Sequence, residues 1–402
     1  MELNLDSIKE ARSILEGNIE KTPIYTASRM NDNLYIKMEN LQKTGSFKLR
    51  GAFNKIAHLT EEEAKRGVIS CSAGNHAQGV ALSATKQGIK SYICIPSVAP
   101  LSKIEATRGY GGEVIIVDGT FDDAQKRAFE LEKERNLTYV APFDDEYVIA
   151  GQGTIGLEIL EQLPDVKYIV VPIGGGGLIS GIALAVKSIK PDVKIIGVEP
   201  ENAASMYESR KAGKLVTLDS VKTMADGIAV KRPGNITFDL VEKYVDDIVT
   251  VSEDEITNAI LRLLEESKVA AEGAGASSIA AVLHGKYDFS DGKVCAVLSG
   301  GNININTISQ IINQGLFKTG RLAEITTIIS DNPGELIRLL TIIKDLGANI
   351  MAIDQFKSSE TVGFDHAVVR IIAETYNKDH RRKLYKTLAD KGYKETHAAE
   401  SY

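Results

Sequence analysis

Four short segments hold residue types whose spacing could do chemistry. The first is GSFKLRGA, Gly45 to Ala52, where Lys48 follows an aromatic residue just ahead of an amphipathic stretch. A lysine amine can form a covalent link to a carbonyl compound, but the chain has 47 basic residues, so Lys48 gains weight only from its company. The second is SAGNHAQG, Ser72 to Gly79, small and polar residues between an apolar run and a helix-like stretch. A strand feeding such residues into a helix start leaves backbone N–H groups outward, which suits a carboxylate, and Asn75 and His76 add side-chain hydrogen-bonding groups there. Taken by itself, His76 reads as a packing residue at a tight turn. The third is PIGGGGLISG, Pro172 to Gly181, with four consecutive glycines after the apolar run YIVVPI. Glycine lets a phosphate approach the backbone closely, and four in a row are entropically too costly for a bare turn. A dinucleotide site competes, because Glu199 stands about 20 residues on, where that fingerprint wants an acid. Its third glycine is missing, however: the sixth position is Ile179 counting from Gly174 and Ser180 counting from Gly175. A single phosphate is the better reading. The fourth is LSGGNI, Leu298 to Ile303, in which Ser299 at a strand end is either a helix cap or a group facing a cofactor ring.

The elements that position these segments are legible in the hydropathy. Short apolar runs alternate with helix-length amphipathic stretches from about Leu34 to Ile312, which predicts an α/β fold with parallel sheets. Strands are expected at Leu34 to Met38, Val68 to Cys71, Ser91 to Ile95, Glu113 to Val117, Tyr168 to Ile173, Lys194 to Val198 and Lys293 to Leu298. The glycine-rich segments follow the ends of these runs, where open α/β sheets bind ligands. From Leu322 the pattern becomes strand, helix, strand, strand, helix, strand, a ferredoxin-like order. Asn332 is expected to cap its first helix, with Pro333 in the first turn, Glu335 as the capping-box acid and Gly347 at the end. Leu336, Leu339, Leu340 and Ile343 then share one face. Strands at Asn349 to Phe356 and Phe364 to Ile372 and a helix around Lys378 to Asp390 complete the order. The boundary is placed at Gly315 to Arg321, giving a catalytic region 1–318, with a smaller subdomain at about 48–148, and a final domain 322–402.

Bulk composition narrows the function. At 402 residues the chain exceeds a single core, and 43% hydrophobic with 25% charged residues is ordinary for a globular protein. A net charge of −7 speaks against nucleic acid as a partner. Cys71, Cys94 and Cys295 lie far apart without metal-binding spacing and read as reduced core thiols. The N-terminal MELNLDSIKEARSIL carries acids on an amphipathic pattern, unlike a signal peptide, and no apolar stretch reaches the roughly 20 residues of a membrane span. Small-molecule partners and a cytoplasmic location are expected.

A lysine, a separate phosphate loop, and hydroxyl or amide groups at other strand ends are the parts a pyridoxal phosphate site needs. GSFKLRGA, SAGNHAQG, GTIGLEI (Gly153 to Ile159), PIGGGGL, GVEP (Gly197 to Pro200), MADGIAV (Met224 to Val230), EGAGA (Glu272 to Ala276) and LSGGN resemble, in order, the motifs of the threonine dehydratases (threonine ammonia-lyases) of the tryptophan-synthase-like pyridoxal-phosphate fold, fold type II. The last segment of about 80 residues resembles an ACT domain, a βαββαβ module that binds amino-acid effectors.

The resemblance implies that Lys48 carries the cofactor with Phe47 beside its ring, and that Asn75 bonds the ring hydroxyl. Gly174, Gly175, Gly176, Gly177 and Leu178 would hold the phosphate, Ser299 would meet the pyridine nitrogen, and Ser72 to His76 would hold the substrate carboxylate. The implied reaction takes L-threonine to 2-oxobutanoate and ammonia, and L-serine to pyruvate, in a catabolic or ambiguous setting. In the ACT-like segment Asp331, Asn332, Gly334, Leu336, Asn349 and Ile350 would line a pocket for an amino acid or nucleotide, and the family assembles as dimers or tetramers. Serine racemase shares these motifs, yet racemases carry a serine before Gly-Asn-His where this chain has Ala73. Their divalent-metal site corresponds to Glu199, Ala203 and Ser205, where one carboxylate is missing, so a monovalent cation is the remaining option. A non-catalytic amino-acid sensor would require a defective lysine site.

Overall fold

The computed structural model describes residues 2–357 and 363–393, in two compact units, 1–304 and 305–402. The second unit therefore takes in the helix Ile305–Thr319, and the division falls ahead of the expected 315–321. In the first unit the strands are β1 (Ile24–Thr26), β2 (Leu34–Met38), β3 (Val68–Cys71), β4 (Ser91–Pro96) and β5 (Glu113–Val117). They continue as β6 (Thr138–Tyr139), β7 (Val166–Pro172), β8 (Lys194–Pro200), β9 (Asp247–Val251) and β10 (Lys293–Leu298).

These make two sheets. The larger has the order β1-β2-β10-β7-β8-β9, parallel except for β1, and the smaller has the order β5-β4-β3-β6, parallel throughout. The smaller sheet lies wholly between β2 and β7 in sequence. Strands buried on both faces read as continuous apolar runs, and β7 and β10 are of that kind. Ile169, Val171, Ile179, Ile182, Ile195 and Val297 belong to the core of the larger sheet, and Val68, Val80, Ile93 and Ile95 to a core of the smaller one. The N-terminal helix Leu5–Leu15 is capped by Asn4 and buries Ile8, Ala11 and Leu15. All three cysteines are free and buried. Among the described residues no helix is long and apolar enough to cross a membrane.

The second unit contains β11 (Leu322–Ser330), β12 (Asn349–Phe356) and β13 (His366–Glu374), antiparallel in the order β11-β13-β12, with helices Glu335–Asp345 and Lys378–Asp390. Leu339 and Ile343 are buried in its core, with Leu336, Leu340 and Ile350 packed against it. The first of these helices starts later than expected. Gly334, at φ 94°, occupies the cap position, Glu335 is the first helical residue, and no side chain caps the start. Asn332 instead donates to Ser330 Oγ at 3.4 Å, so its assignment as helix cap is corrected. Gly347, at φ 78°, follows the helix end as expected. Of the six residues assigned to an effector pocket, Asp331 accepts from Lys357 Nζ at 2.9 Å and Asn349 donates to Glu374 at 2.9 Å. The fourth strand of the ferredoxin-like order would fall in 394–402, outside the described residues.

Candidate active site

The site residues stand just beyond the carboxyl ends of β3, β7 and β10, drawn from both sheets. The turn that carries Lys48 is tied to the end of β10 by backbone. Phe47 N–H donates to Ser299 O at 3.1 Å and Gly301 N–H to Gly45 O at 2.9 Å, with Ser46 and Gly300 forming an antiparallel bridge. Gly45 sits at φ 71°, and a side chain there would also collide with Asn302. Lys48 is the first residue of the helix Lys48–Ala57. Its Nζ donates to the carbonyl of Pro142 at 2.8 Å and lies 5.2 Å from the Phe47 ring centre. Burial pulls its pKa down to about 8, partly opposed by the carboxylate of Glu272. A large fraction of the amine is thus available unprotonated in mildly alkaline solution.

The segment after β3 makes the expected helix start. The helix Asn75–Lys86 begins behind Gly74 with no side-chain cap, so its first N–H groups are left for a partner from outside the helix. Ser72 Oγ accepts from Gly74 N at 3.1 Å. Ala73 is half-buried beside it. His76 is buried and its Nε2 bonds the carbonyl of Val140 at 2.9 Å; burial and the nearby Lys48 push its pKa down to about 3. The neutral ring therefore serves as a packing and anchoring group, and only the backbone of His76 faces the helix start. Asn75 extends its amide to two distant residues. It donates to Glu272 Oε1 at 2.7 Å and accepts from Asn302 Nδ2 at 2.8 Å.

After β7 the glycines form a cradle with protein packed closely behind it. A side chain at Gly174 would press on Ile228, at Gly175 on the ring of Phe143, and at Gly176, φ 96°, on Met206 and Thr237. Thr237 Oγ1 donates to Gly175 O at 2.6 Å and fixes the loop from outside. The helix Gly177–Ile189 follows, and its first-turn N–H groups and dipole suit an anion. The side chain of Leu178 belongs to the core, so only its backbone can serve the cradle. Ser299, 2% exposed, follows β10 directly.

Glu199 lies near the end of β8, and Ala203 and Ser205 follow in the segment leading into the helix Ser205–Ala212. Both carboxylate oxygens of Glu199 accept helix N–H groups, from Met206 at 2.9 Å and Tyr207 at 2.7 Å, and burial raises its pKa to about 8. An acid so engaged is not offered to a nucleotide ribose. Ser205 Oγ is buried without a hydrogen-bond partner, and among the described residues no group of three His, Cys, Asp or Glu could hold a metal.

Sequence reasoning passed over several residues of the site. Pro142 and Phe143 lie in APFDD, which also supplies Asp144 to the N–H groups of Asn235 and Ile236, both at 2.9 Å. Glu272 and Asn302 stand inside motifs that were noticed, yet nothing local shows that both reach Asn75.

The family described as pyridoxal-phosphate dependent enzyme matches residues 15–300. The chain is 50% identical over 395 residues to a protein of Thermotoga maritima named L-threonine ammonia-lyase, covering 97% of this chain and 98% of that one. Among solved structures it is similar to the processed form of threonine deaminase isoform 2 from Solanum lycopersicum, with a TM-score of 0.73, 41% identity, and coverage of 77% of this chain and 86% of that one. Maize serine racemase superposes with a TM-score of 0.74 at 37% identity, covering 79% of this chain and 99% of that one. The groups present fit the cofactor: an amine of lowered pKa, a backbone cradle too tight for side chains, and a neutral hydroxyl at a separate strand end. Fold, donor set and sequence agree, and the chain belongs to the pyridoxal-phosphate-dependent enzyme family of fold type II.

Proposed function

We propose that this enzyme dehydrates and deaminates L-threonine to 2-oxobutanoate and ammonia, and L-serine to pyruvate, as a carbon–nitrogen lyase. The observation that carries the reading is the enclosure of the Lys48 amine where the GSFK turn, the SAGNH helix start and the glycine cradle adjoin. The name of the Thermotoga maritima relative, alike along nearly its full length, supports the same substrate.

In this reading Lys48 would hold pyridoxal phosphate through its amine and would take the Cα proton of the substrate. Gly174 to Leu178 would hold the phosphate through backbone N–H groups, Asn75 would donate to the ring oxygen with Phe47 alongside, and Ser299 would meet the pyridine nitrogen. The bound cofactor supplies the electron sink that acidifies Cα–H and lets the β-hydroxyl depart. A serine at that place would not protonate the ring nitrogen as an aspartate would, which favours elimination. The uncapped start of Asn75–Lys86, with Ser72 and Ala73, holds the carboxylate of the substrate.

Racemisation is the competing outcome, and Ala73 disfavours it because no hydroxyl stands there to return a proton on the second face. The test is direct: purified enzyme given L-threonine should yield 2-oxobutanoate and ammonia in equal amounts, and given L-serine should yield pyruvate with little D-serine. Ala73→Ser should raise the D-serine fraction. Racemisation of serine by the unaltered chain as fast as elimination would defeat the reading.

The second unit, in this account, is an ACT regulatory domain. Its βαββα order and antiparallel sheet support that assignment, and the pocket is assigned to Asp331, Asn332, Gly334, Leu336, Asn349 and Ile350. Isoleucine or valine are the first candidate effectors and AMP the next. A single regulatory unit favours a catabolic role in the cytoplasm, with assembly as a dimer or tetramer.

A further inference from the structure

Glu272 has no part in the mechanism above, yet its carboxyl is built into the site. The residue stands at the cap position of the helix Gly273–Leu283 without bonding that helix through its side chain, and it is only 6% exposed. Its side chain turns to Asn75, 2.7 Å away, while its backbone N–H donates to Gly300 O at 3.2 Å. A side chain at Gly300 would collide with Oε1, so the glycine after Ser299 makes room for this carboxyl. The charged groups that act on it electrostatically come from three elements. Lys48 opens the helix Lys48–Ala57, Lys103 comes from the helix Leu101–Gly109, and Asp226 from the turn Asp226–Ile228; Lys103 and Asp226 pair with each other at 2.5 Å. Burial lifts the carboxyl to about 7, against the pull of its bond from Asn75.

The hydrogen bonds of Asn75 fix the sense of its amide. Oδ1 accepts from Asn302 Nδ2, which also donates to Thr44 O at 2.8 Å, and one Nδ2 hydrogen goes to Glu272. Turned over, the amide would set oxygen against the Glu272 carboxyl and N–H₂ against the Asn302 N–H₂, losing both bonds. One N–H of Asn75 is thereby left over, and Asn75 can offer a ligand a donor there.

We propose that Glu272 is a positioning residue: its bond holds the Asn75 amide as a donor toward the cofactor oxygen, and its charge stabilises the positively charged form of the Lys48 nitrogen. The proposal rests on the assignment of Lys48 and Asn75 to the cofactor. It separates two effects. Glu272→Gln keeps an acceptor for Asn75 and removes the charge, whereas Glu272→Ala removes both.

The experiment titrates the visible absorbance of the holoenzyme with pH and measures pyridoxal phosphate binding to the stripped protein. Glu272→Gln should bind cofactor nearly as well as the unaltered chain, with its spectral midpoint lowered, as expected for loss of an opposite charge acting on Lys48. Glu272→Ala should show that shift together with cofactor affinity reduced roughly five- to tenfold, the size of one lost hydrogen bond. Asn302→Ala, which leaves the charge in place, should weaken cofactor binding without moving the midpoint, and this decides the orientation claim even if a Glu272 variant fails to fold. An unmoved midpoint in Glu272→Gln, or an equal shift in Asn302→Ala, overturns the proposal. Absence of any visible band from the unaltered chain with cofactor would instead refute the lysine assignment beneath it.

Discussion

Replacing Arg50 by methionine should destabilise the first unit by about 3 to 5 kcal/mol, the usual consequence of removing one partner from a buried ion pair. Arg50, two residues past Lys48, is fully buried. Its guanidinium grips Glu39 with two bonds of 2.8 Å and Glu158 with bonds of 2.6 and 3.0 Å, and reaches Thr154 Oγ1 at 3.1 Å. Lys37 joins Glu158 at 2.6 Å from the other side. Two carboxylates are thus matched by two cations inside the protein, and Arg50→Met leaves both acids with Lys37 alone. The pH dependence has a definite sign. Burial pushes Glu39 up, but the Arg50 guanidinium, with smaller help from Lys37 and the Thr22 hydroxyl, outweighs it, so the net pKa is lowered. A lowered carboxyl pKa adds stability above the ordinary carboxylate range and loses it as pH falls through the folded value. Without the guanidinium, burial raises Glu39, so the deficit of the variant should be widest near neutral pH and shrink in acid. Urea unfolding of both proteins, followed by circular dichroism at neutral pH and in mild acid, measures this. A deficit below about 1 kcal/mol at neutral pH, or one that grows in acid, would refute the reasoning.

Two further outcomes follow from the cradle and from the second unit. Gly175→Ala places a methyl against the Phe143 ring; relief of overpacking costs about 1 to 3 kcal/mol, so cofactor affinity by equilibrium dialysis should fall from several-fold to about a hundredfold. Threonine saturation of the full chain should shift several-fold with isoleucine, valine or AMP, equivalent to roughly 1 to 3 kcal/mol of coupling, and the shift should vanish in a chain ending at Asn304. No shift with any of the three would leave the second unit without a regulatory role.

Much of the fold was legible because buried parallel strands are written as short apolar runs between turn residues. The runs at Leu34–Met38, Val68–Cys71, Glu113–Val117 and Lys293–Leu298 form strands with the expected ends. β1 and β6 escaped because three and two residues are too short for any periodicity, and β9, DIVTV, was also passed over. The compact units divide ahead of Ile305–Thr319 and the expected boundary lay after it; that stretch is a continuous helix pattern, and a helix does not encode locally which unit it joins. The cap at Asn332 failed because Gly334 takes the left-handed turn that starts the helix. For the site, the glycine cradle and the helix start were readable because both are local backbone devices. The Glu272–Asn75–Asn302 chain was not, since its members are brought together only by the packing of strand ends from both sheets.

The central claim is that Lys48 carries the cofactor and performs the proton transfer. The most direct measurement is borohydride reduction of the enzyme loaded with pyridoxal phosphate, followed by proteolysis and mass spectrometry, alongside the threonine turnover of Lys48→Ala. The account predicts the pyridoxyl adduct on Lys48, and a variant that neither forms it nor makes 2-oxobutanoate. An adduct on another lysine, or threonine turnover retained by Lys48→Ala with cofactor bound, would contradict it.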